Sequence, residues 1–273
     1  MEKGGKLLVL FLAAVTLGGC SFGGTKKEVK QVDFQAKMEL RSPSPKAGER
    51  PRILFVGNSH MFYNDLSGTF ARIADNLGRN RDAYELSKSQ CSLKQYADME
   101  NELGKVFDKT VSGKKWDFVI LQESSDNAMS LSAEEEMFPY CRILDEKVKS
   151  AGGQTVFLMT WAPKDGIKDG FKKQSREELQ SIMVENYTEI SDELNSLMIP
   201  AGVAFMRCAQ EYPEIELWNQ DGKYPSPAGT YLAACTVYAV IYQQSPENCS
   251  YVGELDNEVA AKLQKLAAEL VLG

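Results

Sequence analysis

The chain has 273 residues, 43% of them hydrophobic, enough for one large domain or two small ones with a real core. A formal net charge of −7, with no basic run interleaved with aromatic residues, argues against a nucleic-acid partner and describes an acidic surface. One histidine and six irregularly spaced cysteines argue against a zinc site, and neither a metal nor another cofactor is expected.

At the N-terminus, Lys3 and Lys6 precede an apolar run over residues 7–17 that closes with Leu17-Gly18-Gly19-Cys20. A basic start, an apolar stretch too short for a bilayer and a small-residue exit describe a secretory signal over 1–19. The Leu-Gly-Gly-Cys ending resembles a bacterial lipobox, which implies cleavage before Cys20, lipidation of its thiol and an extracytoplasmic protein held to a membrane by acyl chains. A plain signal peptide or a short anchor is the alternative. With Cys20 lipidated, Cys91, Cys141, Cys208, Cys235 and Cys249 remain. Five is odd, so at least one stays unpaired, and most are expected as buried small hydrophobes. Residues 20–51, rich in Lys, Gly, Ser and Pro, read as a flexible tether.

From Arg52 a regular alternation begins and runs through 273. Residues 53–56 (Ile-Leu-Phe-Val) predict a buried strand, Gly57-Asn58-Ser59 a break, and Leu66, Phe70, Ile73 and Leu77 a helix. A second strand is expected over 83–88, then a helix N-capped by Ser92 that carries Leu93, Tyr96, Met99 and Leu103. A third strand follows over 116–122, then a helix with Met137, Cys141, Leu144 and Val148 on one stripe. Pro139 there is either a first-turn residue or a kink. The fourth strand is read over 154–160, a long helix over 176–197, and a fifth strand over 199–205 around Pro200. Ser226-Pro227 opens another helix, and Val259, Leu263, Leu266 and Leu270 mark a last one expected to dock on the sheet. Such alternation implies one parallel-sheet α/β domain with helices on both faces.

On spacing alone, Gly57-Asn58-Ser59 is an ordinary polar turn at the carboxyl end of a strand, the edge where open α/β sheets bind ligands. Residues 53–59 with Tyr63-Asn64-Asp65 resemble the first block of the SGNH/GDSL hydrolase superfamily in its Gly-Asn-Ser form. Residues 117–125 resemble a Leu-Gln-Glu segment of a secreted branch of that superfamily. Residues 199–205 and 221–235 resemble its final block, in which the family carries Asp-x-x-His. The resemblance implies a three-layer α/β/α, flavodoxin-like fold with a five-stranded parallel sheet, and nucleophilic ester hydrolysis. It makes Ser59 the nucleophile and an oxyanion donor through its own N–H, and Asp221 the orienting carboxylate. Gln122, Gln90 and Asn58 fall where oxyanion or substrate contacts are expected. The implied substrate is a small ester or an acylated carbohydrate of the cell envelope.

The expected histidine is replaced by Tyr224, and the only histidine is His60. Free tyrosine titrates near ~10 and is a poor proton acceptor at neutral pH. His60 is either the base or a rim residue. Asp221 is either a direct or water-mediated base or a loop hydrogen-bond acceptor. At positions 89–93, Ser-Gln-Cys-Ser-Leu stands where the branch reads Gly-Gly-x-Ser-Leu, so Gln90 must take a glycine's place. Trp161 and Trp218 form either a sugar-stacking wall or core. Two other readings stay open: a degenerate relative that binds glycan without turnover, and a two-lobed solute-binding lipoprotein.

Overall fold

A computed structural model describes residues 33–170 and 172–273. The signal peptide expected over 1–19 and the lipidated Cys20 lie outside the described residues. Five parallel strands, β1 (Arg52–Gly57), β2 (Asp82–Ser87), β3 (Phe118–Leu121), β4 (Gln154–Leu158) and β7 (Leu197–Ile199), form one sheet in the order β2-β1-β3-β4-β7. An antiparallel hairpin, β5 (Ile167–Asp169) and β6 (Lys172–Gln174), is inserted after β4. The central strands β1 and β3 are covered on both faces, which is why they read as unbroken apolar runs. At the edge, β2 alternates with polar residues and leaves Tyr84 exposed.

The helices are α1 (Ser59–Phe62), α2 (Leu66–Asn76), α3 (Leu93–Ala97), α4 (Glu102–Ser112), α5 (Ser125–Ala128), α6 (Ala133–Glu136), α7 (Phe138–Ser150), α8 (Arg176–Glu193), α9 (Ala201–Glu211), α10 (Pro227–Tyr242) and α11 (Asn257–Leu272). One group packs α2, α9 and α11 around α10; another packs α3, α4 and α7 together. The three-layer flavodoxin-like architecture expected from sequence is the one observed. A single unit spans Asp33–Gly273, so the two-lobed solute-binding reading fails.

Four expected elements differ. The helix read through Ser92 and Leu103 is two helices, because Asn101 caps a new start by accepting from the Leu103 N–H at 3.0 Å. The helix read over 176–197 stops at Glu193, and Asn195 takes a left-handed φ of 46° before the chain enters β7. The apolar run read as a strand over 199–205 is β7 up to Ile199 and then α9. A buried helix and a buried strand give the same uninterrupted apolar pattern, and Pro200 marks the switch. The last helix, α11, packs on α10 and α9 where the sheet was expected. Since α10 is buried all round, it needs a cover on its outer side, which Leu263, Leu266 and Leu270 supply.

Pro139 is a first-turn residue of α7. Residues 33–51, the described part of the expected tether, run along the domain. Phe34 is buried, Lys37 pairs with Glu185, Arg41 with Asp192, and the Ser44 N–H donates to Gln154 at 2.8 Å. The five described cysteines are free and buried. Among the described residues, no helix is long and apolar enough to cross a membrane.

Candidate active site

The site is built where β1 ends. Asn58 is extended and caps α1 by accepting from the His60 N–H at 3.1 Å, so Ser59 opens the helix at the carboxyl edge of the sheet. The Asn58 amide donates to the Cys91 carbonyl at 2.9 Å and pins the β2–α3 loop beside the bend. The Asn58 N–H in turn donates to Gln122 Oε1 at 2.9 Å, while Gln122 Nε2 donates to the Glu123 carbonyl. Both ends of the Gln122 amide are thus engaged, and Gln122 supports the nucleophile turn from behind the cleft. Gly57 permits this approach, because a Cβ there would stand 2.5 Å from Gln122 Oε1.

Ser59 lines a cleft of about 700 Å³ whose walls include Gln90, Ser92, Asn127, Trp161 and Tyr224. Gln90 holds a φ of 57°, so the left-handed conformation expected of a glycine survives with a side chain present. Asn127 was not singled out from sequence; its signal is a polar Ser-Ser-Asp-Asn run directly after a strand.

Tyr224 brings its hydroxyl to 3.0 Å from Ser59 Oγ, with either oxygen able to donate. Its ring stacks on Tyr63 at 4.8 Å, nearly parallel, and Tyr63 is itself held by the Asn219 amide at 2.6 Å. Asp221 is exposed and accepts from the Lys223 and Tyr224 N–H groups at 2.8 and 3.0 Å. Of the two roles open to it, Asp221 fills that of loop acceptor, and it is not among the residues lining the cleft. Ser59 and Tyr224 are brought together; the Asp221 carboxylate organises the loop that delivers Tyr224.

His60 lines the cleft with its ring 5.1 Å from that of Tyr224 and 5.9 Å from that of Trp161. Burial pushes it down from 6.5 to about 4, against the pull of Asp126, Asp221 and the Lys223 carbonyl. An imidazole held that low is neutral at physiological pH and a weak proton acceptor. Trp161 stacks on Phe205 at 3.9 Å and Trp218 meets the same ring edge-on, so both belong to the core, with Trp161 also closing the cleft floor.

Behind the cleft, burial raises Glu123 from 4.5 to about 7. Glu123 and His60 therefore act on stability with opposite signs. Between pH 4.5 and 7 the folded protein holds a proton on Glu123 that the unfolded chain releases, so stability falls as pH rises. Between pH 4 and 6.5 the unfolded chain binds a proton at His60 that the folded protein refuses, so stability rises with pH. Each contribution is about 3 kcal/mol at ~1.4 kcal/mol per pH unit. Denaturant unfolding from pH 4.5 to 6.5 should then be nearly level for the wild type. Glu123→Gln should lose stability on acidification and His60→Asn should gain it. Equal slopes in the two variants would refute these assignments.

Residues 69–270 match the model of a family described as Domain of unknown function (DUF4886). No curated protein matches the chain in sequence. A protein from Slackia heliotrinireducens, described as a candidate SGNH hydrolase, is 25% identical and superposes with a TM-score of 0.57 over 70% of this chain and 98% of that one. A DUF4886 family protein from Bacteroides uniformis is 15% identical, with a TM-score of 0.67 over 82% of this chain and 95% of that one. The psychrotrophic esterase EstA from Pseudoalteromonas sp., with a structure inhibited by monoethylphosphonate, has a TM-score of 0.52 at 14% identity over 71% and 97%.

Proposed function

Because the chain belongs to the DUF4886 family and folds as an SGNH/GDSL-type hydrolase, we propose that it is a serine ester hydrolase, an esterase or deacetylase. Its substrate would be an acylated carbohydrate or envelope ester, met outside the cytoplasm by a protein anchored through lipid on Cys20. The observation that carries the reading is Ser59 Oγ, at the strand-end bend and in the cleft, 3.0 Å from the Tyr224 hydroxyl.

Chemically, that pair can work as a neutral relay. Ser59 Oγ attacks the acyl carbon and passes its proton to the Tyr224 oxygen, and Tyr224 passes its own proton to the departing alkoxide. Water then attacks the acyl-serine, gives a proton to Tyr224, and Tyr224 returns one to Ser59. The N–H groups of Ser59 and Gln90, two residues that line the same cleft, are the candidate donors to the oxyanion. Neutral tyrosine is a much weaker proton acceptor than imidazole, so the relay is slow, and turnover is expected well below that of a site with histidine.

A second reading, glycan binding without turnover, is favoured by the same tyrosine. The two separate on one measurement: acetate released from O-acetylated glycans and from short-chain aryl esters. Release supports the hydrolase, whereas saturable glycan retention with no acetate supports the binding protein. For the anchor, Cys20→Ser should move the protein from the membrane fraction to the soluble fraction of the native host. Unchanged membrane retention would refute lipidation.

A further inference from the structure

The Glu123 carboxylate lies at the end of β3, completely buried, and no step of the relay uses it. One of its oxygens, Oε1, accepts from the N–H of Leu93 at 3.3 Å and from the N–H of Ser124 at 2.5 Å. Leu93 is the first residue of α3 and Ser124 caps α5, so both N–H groups are helix-start donors. Each helix start carries residues of a different cleft wall: Ser92 and Gln95 on one side, Ser124 and Asn127 on the other. Among the described residues, the second oxygen, Oε2, meets no partner at hydrogen-bond distance.

We propose that Glu123 is a positioning residue that clamps the β2–α3 wall of the cleft to the β3–α5 wall, and so sets the width available to the acyl group and the placement of Gln90 and Asn127. The clamp rests on the hydrolytic reading of the cleft. A carboxyl suits the task because one of its oxygens can accept from two backbone donors at once. Burial without a cation alongside is what brings its titration to about 7. The titratable groups that feel its charge are Cys91 on the β2–α3 loop, Cys141 on α7 and Tyr187 on α8. Burial pushes all three upward, so they stay neutral while Glu123 titrates. Burial favours the protonated carboxyl, and ionisation favours any opened state in which Glu123 reaches water, so the clamp is tightest below neutrality and loosens as pH rises toward 7.

The test is amide hydrogen exchange at Leu93 and Ser124 in the wild type from pH 5.5 to 8.5, corrected for intrinsic rates, and in Glu123→Gln and Glu123→Ala. In the wild type, protection of both amides should fall together by roughly tenfold as pH rises from 5.5 to about 7, and level off above it. Glu123→Gln keeps one acceptor and should hold intermediate protection with no pH dependence. Glu123→Ala should lose at least about tenfold. Ester kinetics supply the second readout: Glu123→Gln should raise KM while leaving kcat within about threefold, and should flatten the pH dependence of KM. Protection that ignores pH in the wild type overturns the clamp without needing any variant to fold. Lost protection with unchanged kinetics overturns its part in the reaction. If the wild type hydrolyses no ester, the function proposed above fails, whereas exchange at Leu93 and Ser124 still decides the clamp.

Discussion

Ser59→Ala is expected to bring ester hydrolysis down to the uncatalysed background, a loss of at least about 10³-fold, with no change in folded content. The size follows from what the hydroxyl does. In the proposed relay it supplies the only bond to the acyl carbon, and its removal leaves oxyanion contacts with nothing to stabilise. The substitution itself is structurally mild. Ser59 is largely buried, but the bend around it is held by Asn58, Gln122 and Gly57, none of which depends on the Ser59 oxygen. A serine-directed phosphonate should add one label to the wild type, mapped by mass spectrometry to Ser59, and none to the variant. Turnover by Ser59→Ala at the wild-type rate would end the nucleophile assignment.

Tyr224→His should work in the opposite direction. The position lies three residues past Asp221, and its side chain already reaches the Ser59 hydroxyl. A histidine there would place a group titrating near ~6.5 against the nucleophile, and general base catalysis of that kind is worth about 10²–10⁴-fold. The lower end, about 10²-fold in kcat, is the expected value. The Asp221 carboxylate is committed to the Lys223 and Tyr224 N–H groups, so a new imidazole would gain its charge without the partner that fixes its tautomer. The loop should tolerate the exchange, since Asn64 donates to the Pro225 carbonyl at 2.6 Å and the Trp161 indole to the Lys223 carbonyl at 3.0 Å, both independent of residue 224. The gain should vanish in the double variant with Ser59→Ala. It should also follow a single ionisation near pH 6 to 7, of the kind expected from histidine at about 6.5. No gain, with Tyr224→His folded and labelled by phosphonate as fast as the wild type, would show that proton removal from Ser59 does not limit the rate.

Much of the fold was readable because the signals are local. Residues 53–56 form a strand covered on both faces, and Ser226-Pro227 starts a helix because the Ser226 oxygen accepts from the Gly229 N–H at 3.1 Å, three residues away. The stretch over 199–205 reads as a strand although most of it is α9, because an apolar run has the same appearance in a buried helix and a buried strand. The break between α3 and α4 depends on an asparagine cap that looks like any other polar residue within a helical stripe.

In the site, the same division holds. Asn58 and Gln122 are expected from sequence as oxyanion or substrate contacts; Asn58 does line the cleft, and the side chains of both also bond backbone groups 33 and 64 residues away, pairings that no local pattern announces. The roles of Gln90 and Asn127 at the cleft, and the burial of Glu123 behind it, depend on where three separate strand ends meet.

The amino-acid sequence by itself determined the α/β alternation, the bend that carries Ser59 and the absence of a histidine after Asp221, because strands, turns and caps are set by φ/ψ preferences and hydrogen bonds within a few residues. Only the tertiary structure decided that a tyrosine hydroxyl meets that serine across 165 residues of chain, and that Asp221 turns to its own loop. Those pairings are fixed by how the strand ends and helices pack together, which no local preference encodes.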